Sequence, residues 1–147
     1  MGEYRFSGHA VWDIKYHLIW ITKYRYKILR GEVAERAREV IRQVCQAREV
    51  NIIRGAISPD HVHMLVAAAP QLAPAKLVQY IKGRSSRRLQ EEFPHLRKRY
   101  WGQHLWARGY FCATVGAVDE KAIMEYIESQ KWEQDDQGFK ITAPPEP

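Results

Sequence analysis

A chain of 147 residues with 46% hydrophobic and 27% charged content can bury one ordinary core but not two independent ones, and it carries no repeat or low-complexity tract. It has no run of roughly 18 uncharged apolar residues to span a membrane. The opening MGEYRFSGHAVWD lacks the apolar stretch of a secretory leader, so a cytoplasmic protein is expected. The 23 Lys and Arg against 17 Asp and Glu leave a net charge of +6, which points toward a polyanionic partner without defining it.

Residues 1–10 show no periodicity and are expected to form a loosely held arm. Residues 11–22, VWDIKYHLIWIT, alternate: Trp12, Ile14, Tyr16, Leu18 and Trp20 fall on one side, and Asp13, Lys15, His17 and Ile19 on the other. That is one long strand with a single buried face. A basic and aromatic loop follows, in which Lys23, Arg25, Lys27 and Arg30 interleave with Tyr24 and Tyr26. Over residues 32–48, Val33, Ala37, Val40, Ile41 and Val44 have the spacing of one helix face, opposite a solvated face of Glu35, Arg36, Arg38, Glu39 and Arg42. Residues 51–57 read as a short strand, and the turn formers Ser58, Pro59 and Asp60 join it to a second one as a hairpin. On that second strand Val62, Met64 and Val66 face one way, and His61, His63 and Leu65 the other.

Pro70 stops the hairpin strand. Pro74 suits a first helical turn, and Leu77, Val78, Ile81 and Leu89 carry a helix face to about residue 92. Gly83 interrupts this helix at a cost of about 1 kcal/mol relative to Ala, which suggests close approach by a backbone or a phosphate. Residues 93–104 read as a basic loop in which Arg97, Lys98 and Arg99 run into Tyr100 and Trp101. Residues 105–115, LWARGYFCATV, read as the last strand with a bulge at Gly109. Asp119 then caps a final helix over residues 120–131, and a polar, proline-bearing tail follows. Cys45 and Cys112 lie in apolar segments without metal-site spacing, as buried thiols of a reducing compartment do.

The resulting order is βαββαβα. Its first six elements give an α+β, ferredoxin-like βαββαβ domain, an antiparallel sheet with both long helices on one face, followed by a C-terminal helix. The opposite face would then be open, with Lys15, His17, His61 and His63 within reach of a ligand or a second subunit.

Two imidazoles at i and i+2 on a strand start roughly 6 to 7 Å apart, close enough for their nitrogens to converge on one cation; the same spacing also serves two surface histidines. On the final helix Tyr126 and Gln130 project from one face one turn apart. Tyrosine could supply a phenolate nucleophile and glutamine a neutral oxygen ligand, or the pair could be a half-buried anchor and a surface amide. Lys23, Arg25, Lys27, Lys82, Arg84, Arg87 and Arg88 are candidates to hold phosphates, with Tyr24, Tyr26 or Trp101 stacking on unpaired bases.

The segments SPDHVHML, Lys82-Gly83 with Ser85, LWARGYFCATVG and EYIESQ, together with YHLIWITKYRYKIL near the start, closely resemble the TnpA-type single-tyrosine HUH transposases of the insertion sequence 200/605 family. The resemblance covers residues 11–130. It implies a metal-dependent endonuclease and strand transferase that acts on single-stranded DNA and recognises hairpins at the element ends. His61 and His63 would be metal ligands and Gln130 a third. Tyr126 would attack the scissile phosphorus, becoming linked to the 5′ phosphate and releasing a 3′ hydroxyl. The resemblance further implies a homodimer with one continuous sheet, in which the tyrosine helix of one subunit completes the histidine site of the other and Gly116 serves as the hinge.

An oxygen-rich site favours Mg²⁺ or Mn²⁺, although imidazoles alone would also suit zinc. Ala122 and Gln130 stand where a second tyrosine one turn from Tyr126 would be, which argues against the two-tyrosine relatives. One rival within the class is a domesticated relative that processes chromosomal palindromes, which the short tail disfavours. Another, from a different class, is a non-catalytic RRM-like module, which predicts exposed aromatics on the central strands.

Overall fold

The computed structural model describes residues 4–115 and residue 121. A small antiparallel hairpin, β1 (Arg5–Phe6) with β2 (Val11–Trp12), precedes the main sheet. That sheet comprises β3 (Ile14–Ile21), β4 (Asn51–Ser58), β5 (His61–Ala68) and β6 (Phe111–Thr114), in the order β4-β5-β3-β6 with every neighbouring pair antiparallel. Helix α1 (Gly31–Ala47) connects β3 to β4, and α2 (Pro74–Glu92) with the short α3 (Pro94–Arg99) connects β5 to β6. This is the expected α+β, ferredoxin-like arrangement, with the first and third long strands at the centre.

The core forms where the periodicity places it. Leu18 and Trp20 of β3 and Val62, Met64 and Val66 of β5 meet Val40, Ile41 and Val44 of α1 and Leu77, Val78, Ile81 and Leu89 of α2. Each such side chain contributes roughly 1.5–3 kcal/mol when fully buried, so one-residue slippage of β5 would forfeit the whole row. A much smaller cluster, Leu65 and Val115 with Ile53 and Ala56 against them, occupies the other side. Pro74 stands in the first turn of α2, where a missing N–H goes unnoticed.

Three local expectations change. The long strand over residues 11–22 is interrupted at Asp13, whose carboxylate pairs with the Lys15 ammonium, and residues 11 and 12 pair instead with β1. The opening segment is thereby tied down, and Arg5 adds hydrogen bonds to the carbonyls of Ala67 (3.2 Å) and Glu49 (2.9 Å). Residues 93–104 are not all loop: Pro94 opens α3, which buries Leu96, and Tyr100 just past its end is buried beside it. Continuous pairing in the last strand is confined to β6. Ahead of it Trp106 forms an isolated antiparallel bridge with Thr22, the Leu105 carbonyl accepts from Lys23 N (2.9 Å) and Ala107 N donates to the Ile21 carbonyl (2.9 Å), so residues 105–107 still lie along the end of β3. Between that bridge and β6 the chain bulges out around Gly109, which adopts φ +83°, and Lys82 Nζ donates to the carbonyls of Ala107 (2.8 Å) and Gly109 (2.7 Å).

Among the described residues no helix is long and apolar enough to cross a membrane. Gly116, Asp119, Tyr126, Gln130 and the tail lie outside the described residues.

Candidate metal centre and nucleic-acid interface

The β4–β5 hairpin closes through Pro59 and Asp60, with Ser58 opposite His61 and Ala56 opposite His63. On its other side β5 pairs His61 with Ile21 and His63 with Ile19, so both histidines sit on a central strand held from two directions. Their ring centroids lie 5.0 Å apart. The face expected to be open is closed at this point: Lys15, His17, His61 and His63 are all buried, the three histidines at 0–2% exposure. Phe111 of β6 stands edge-on to His17 at 5.4 Å, which is part of that cover. Burial lowers the His17 pKa to about 4, so its ring is neutral at physiological pH.

Asp60 gives the histidine pair a direction. Its Oδ1 lies 2.8 Å from His61 Nδ1, and both side chains are 2% exposed. An ionised carboxylate can only accept, so Nδ1–H donates, and in the neutral tautomer that this selects the lone pair is on Nε2. That Nε2 is buried and has no hydrogen-bond partner among the described residues. A buried acceptor left unsatisfied is costly, and carboxylate-backed imidazole is the form in which histidine binds a metal ion. The residues therefore fit a divalent cation at His61. They fit it in part, since among the described residues no group of three or more His, Cys, Asp or Glu could hold a metal.

The second carboxylate oxygen is also engaged. Arg25 donates from Nε (3.0 Å) and Nη2 (2.7 Å) to Asp60 Oδ2. Burial pushes the Asp60 carboxyl up, but the His61 hydrogen bond and the Arg25 charge outweigh it and hold the group below its ordinary value. Arg25 thus serves the histidine site, where the sequence had suggested a phosphate contact. Asp60, read only as a turn former, is a residue of the candidate site that sequence reasoning missed. The available signal was a carboxylate immediately before a candidate ligand.

The other basic residues divide between structure and surface. Lys82 fastens the loop after α3 to α2, and burial lowers its pKa. Ser85 of the same motif accepts from Trp106 Nε1 (2.9 Å) and donates to the Ile81 carbonyl (2.6 Å). Both residues of the Lys-Gly-x-Ser pattern hold that loop in place. Beside it runs an open cavity of about 1020 Å³, lined by Lys23, Arg87, Arg97, His104 and Arg108, among others. A second cavity of about 470 Å³ between α1 and α2 is lined by Arg48, Arg84 and Arg87, and Gly83 borders both. A methyl group at Gly83 would meet no atom within 4 Å among the described residues, so no backbone among them accounts for the glycine. Lys27 and Arg88 line neither cavity.

Tyr26 is enclosed by Tyr24 (5.3 Å), Tyr100 (5.6 Å) and the Arg99 guanidinium over its ring (3.9 Å). That leaves Tyr24 and Trp101, 67% and 86% exposed, as the rings of these loops that can meet an unpaired base.

A sequence model described as "Transposase IS200 like" matches residues 10–130, a span that contains His61, His63, Tyr126 and Gln130. The chain belongs to this family. It is a TnpA-type transposase of the insertion sequence 200/605 group. Over 120 residues it is 39% identical to the ISDra2 transposase TnpA of Deinococcus radiodurans, which covers 82% of this chain and 86% of the relative. Over 144 residues it is 33% identical to the transposase for insertion sequence element IS200 of Salmonella typhimurium, covering 98% and 93%. A crystal structure of a Deinococcus radiodurans R1 protein assigned as a transposase superposes with TM-score 0.71 at 36% identity, covering 86% of this transposase and 97% of that chain. The structure of a REP-associated tyrosine transposase bound to a REP hairpin gives TM-score 0.66 over 92% and 75%, and at 15% identity it shows a shared fold.

Proposed function

We propose that this transposase cuts and rejoins single-stranded DNA through a covalent 5′-phosphotyrosine on Tyr126, with His61, His63 and Gln130 as ligands of Mg²⁺ or Mn²⁺. The observation that carries this reading is the buried Asp60–His61 pair, which leaves Nε2 of the imidazole without a hydrogen-bond partner among the described residues. When bound, a divalent cation would make the phosphodiester more electrophilic and offset charge on the leaving 3′ oxygen.

The protein supplies the remaining chemistry. A free tyrosine titrates near 10, so Tyr126 must lose its proton as its phenolic oxygen attacks phosphorus. The new oxygen–phosphorus bond replaces the bond to the 3′ oxygen, which departs as a hydroxyl after taking up a proton. Phosphorus remains a diester throughout. A different 3′ hydroxyl can therefore reverse the step and release the phenol without ATP.

The DNA would present hairpins from the element ends, the class of ligand that the REP-associated neighbour holds, and the basic cavities along α2 offer phosphate contacts. A homodimer in which one subunit's Tyr126 helix meets the partner's histidines would complete each site. The relatives above 30% identity are element transposases, which favours an element-encoded enzyme over a palindrome-processing one. The RRM-like alternative loses support, since the exposed large aromatics among the described residues are Tyr4, Phe6, Tyr24, Tyr80, Trp101 and Tyr110, none on β3 or β5.

Incubation with labelled hairpin-bearing oligonucleotides and Mn²⁺ tests the proposal. A protein–DNA adduct is expected with wild type and not with Tyr126→Phe. Binding without any adduct, on an oligonucleotide taken from the element's own ends, would count for the non-catalytic module.

A further inference from the structure

We propose that Arg25 is a positioning residue of the metal site, holding Asp60 so that the carboxylate's other oxygen fixes His61 with Nε2 available to a cation. The inference rests on the metal-site reading above and extends it to a residue outside the ligand set. Guanidinium Nε and Nη2 both donate to one oxygen, Oδ2, so Oδ1 remains for His61 Nδ1. Asp60 is 1% exposed, so protein groups and not solvent set its orientation, and the two N–H groups of Arg25 on Oδ2 fix the plane in which Oδ1 meets the imidazole. Without the guanidinium the carboxylate could turn about its Cβ–Cγ bond, and Oδ1 would no longer be aimed at Nδ1 to fix the imidazole.

The local backbone is arranged around this contact. Tyr24 and Arg25 occupy the left-handed region, at φ 63° and 55°, where residues other than glycine are disfavoured. The turn is nevertheless secured without the guanidinium. Thr22 Oγ1 donates to the Tyr26 carbonyl (2.7 Å), Thr22 N to the Asp60 carbonyl (3.0 Å), Lys23 N to the Leu105 carbonyl (2.9 Å) and the Tyr100 hydroxyl to the Lys23 carbonyl (3.3 Å). Truncating Arg25 should therefore leave the turn in place and act on Asp60. A lysine at this position could keep the charge but not both N–H groups on one oxygen.

The test is Mn²⁺ affinity of the full chain without DNA, read from the electron paramagnetic resonance signal of free Mn²⁺ during titration, with thermal unfolding of the metal-free protein alongside. Arg25→Gln is expected to weaken Mn²⁺ binding about 10- to 100-fold, the usual cost of losing an outer partner of a ligand, and Arg25→Lys by less. Asp60→Asn should weaken it similarly, and the double variant hardly further, because the two residues act in series. Wild-type affinity in a folded Arg25→Gln, or losses that simply add, would overturn the role given to Arg25. If His61→Ala binds Mn²⁺ as wild type does, the metal-site reading itself falls and takes the inference with it, an outcome distinct from a failure at Arg25 alone.

Discussion

Arg25 and Arg87 come from segments that look alike on paper, basic stretches beside aromatic or polar residues, yet one guanidinium closes on a buried carboxylate and the other stands on the wall of an open cavity. The difference lies in what the fold brings opposite each. Asp60 reaches Arg25 across 35 residues of sequence, whereas Arg87 faces a cavity shared with Lys23, Arg97 and Arg108. A charge paired in the interior is worth its geometry, because removing one partner strands the other. Charges along an open cavity act collectively on a polyanion and are individually replaceable.

Substitutions should separate the two regions. The largest effect is expected at the buried pair: Asp60→Asn should slow DNA cleavage about 10- to 100-fold at limiting Mn²⁺ while hairpin affinity stays as in wild type, measured by gel assay and anisotropy on one oligonucleotide. At the cavity the pattern inverts. Arg87→Ala with Arg97→Ala should weaken hairpin binding on the order of tenfold and reduce the salt dependence of log K by about two, one for each phosphate no longer neutralised, with cleavage at saturating DNA unchanged. Loss of cleavage in that double variant at saturation would erase the distinction.

The histidine face offers a third test through pH. His17 has its folded pKa depressed from 6.5 to about 4 by burial. The unfolded chain therefore takes up the proton first, so this contribution to stability is intact above the unfolded value and is lost as pH falls through the window between the two. Within the window the slope is about 1.4 kcal/mol per pH unit. Urea unfolding of wild type and His17→Phe should diverge below 6.5 and run parallel above it; parallel curves throughout would mean that His17 is not buried neutral.

The smallest effect is expected at Gly83. Gly83→Ala should stabilise α2 by about 1 kcal/mol, since the new methyl meets none of the described residues, and weaken DNA binding by a few-fold. Higher stability with unaltered binding would remove the glycine from the interface.

Alternation in β3 and β5 and the apolar spacing in α1 and α2 carry most of the fold, because a sheet with one helix-covered face imposes period two on its strands and 3.6 on its helices. The histidine pair was legible for the same reason: position on a strand sets which side a residue takes. Its burial was not, since period two says which residues share a face and nothing about what covers that face. The Arg25–Asp60 contact was equally invisible, for it depends on a left-handed turn meeting the tip of a distant hairpin. Lys82 and Ser85 were legible as a motif but not as clasps on the loop after α3, because the carbonyls and the indole they bind lie about twenty or more residues away. The short α3 escaped notice because its six residues hold one buried turn, too little for a period to show.

The central claim, that a tyrosine phenol and a cation held by His61 and His63 open a DNA strand together, is tested most directly by digesting the protein–DNA adduct formed in Mn²⁺ and identifying the modified peptide by mass spectrometry. The account predicts a single nucleotide-bearing tyrosine, Tyr126, and no adduct once His61→Ala is introduced. Attachment at any other residue, or adduct formation that survives loss of His61, would contradict it.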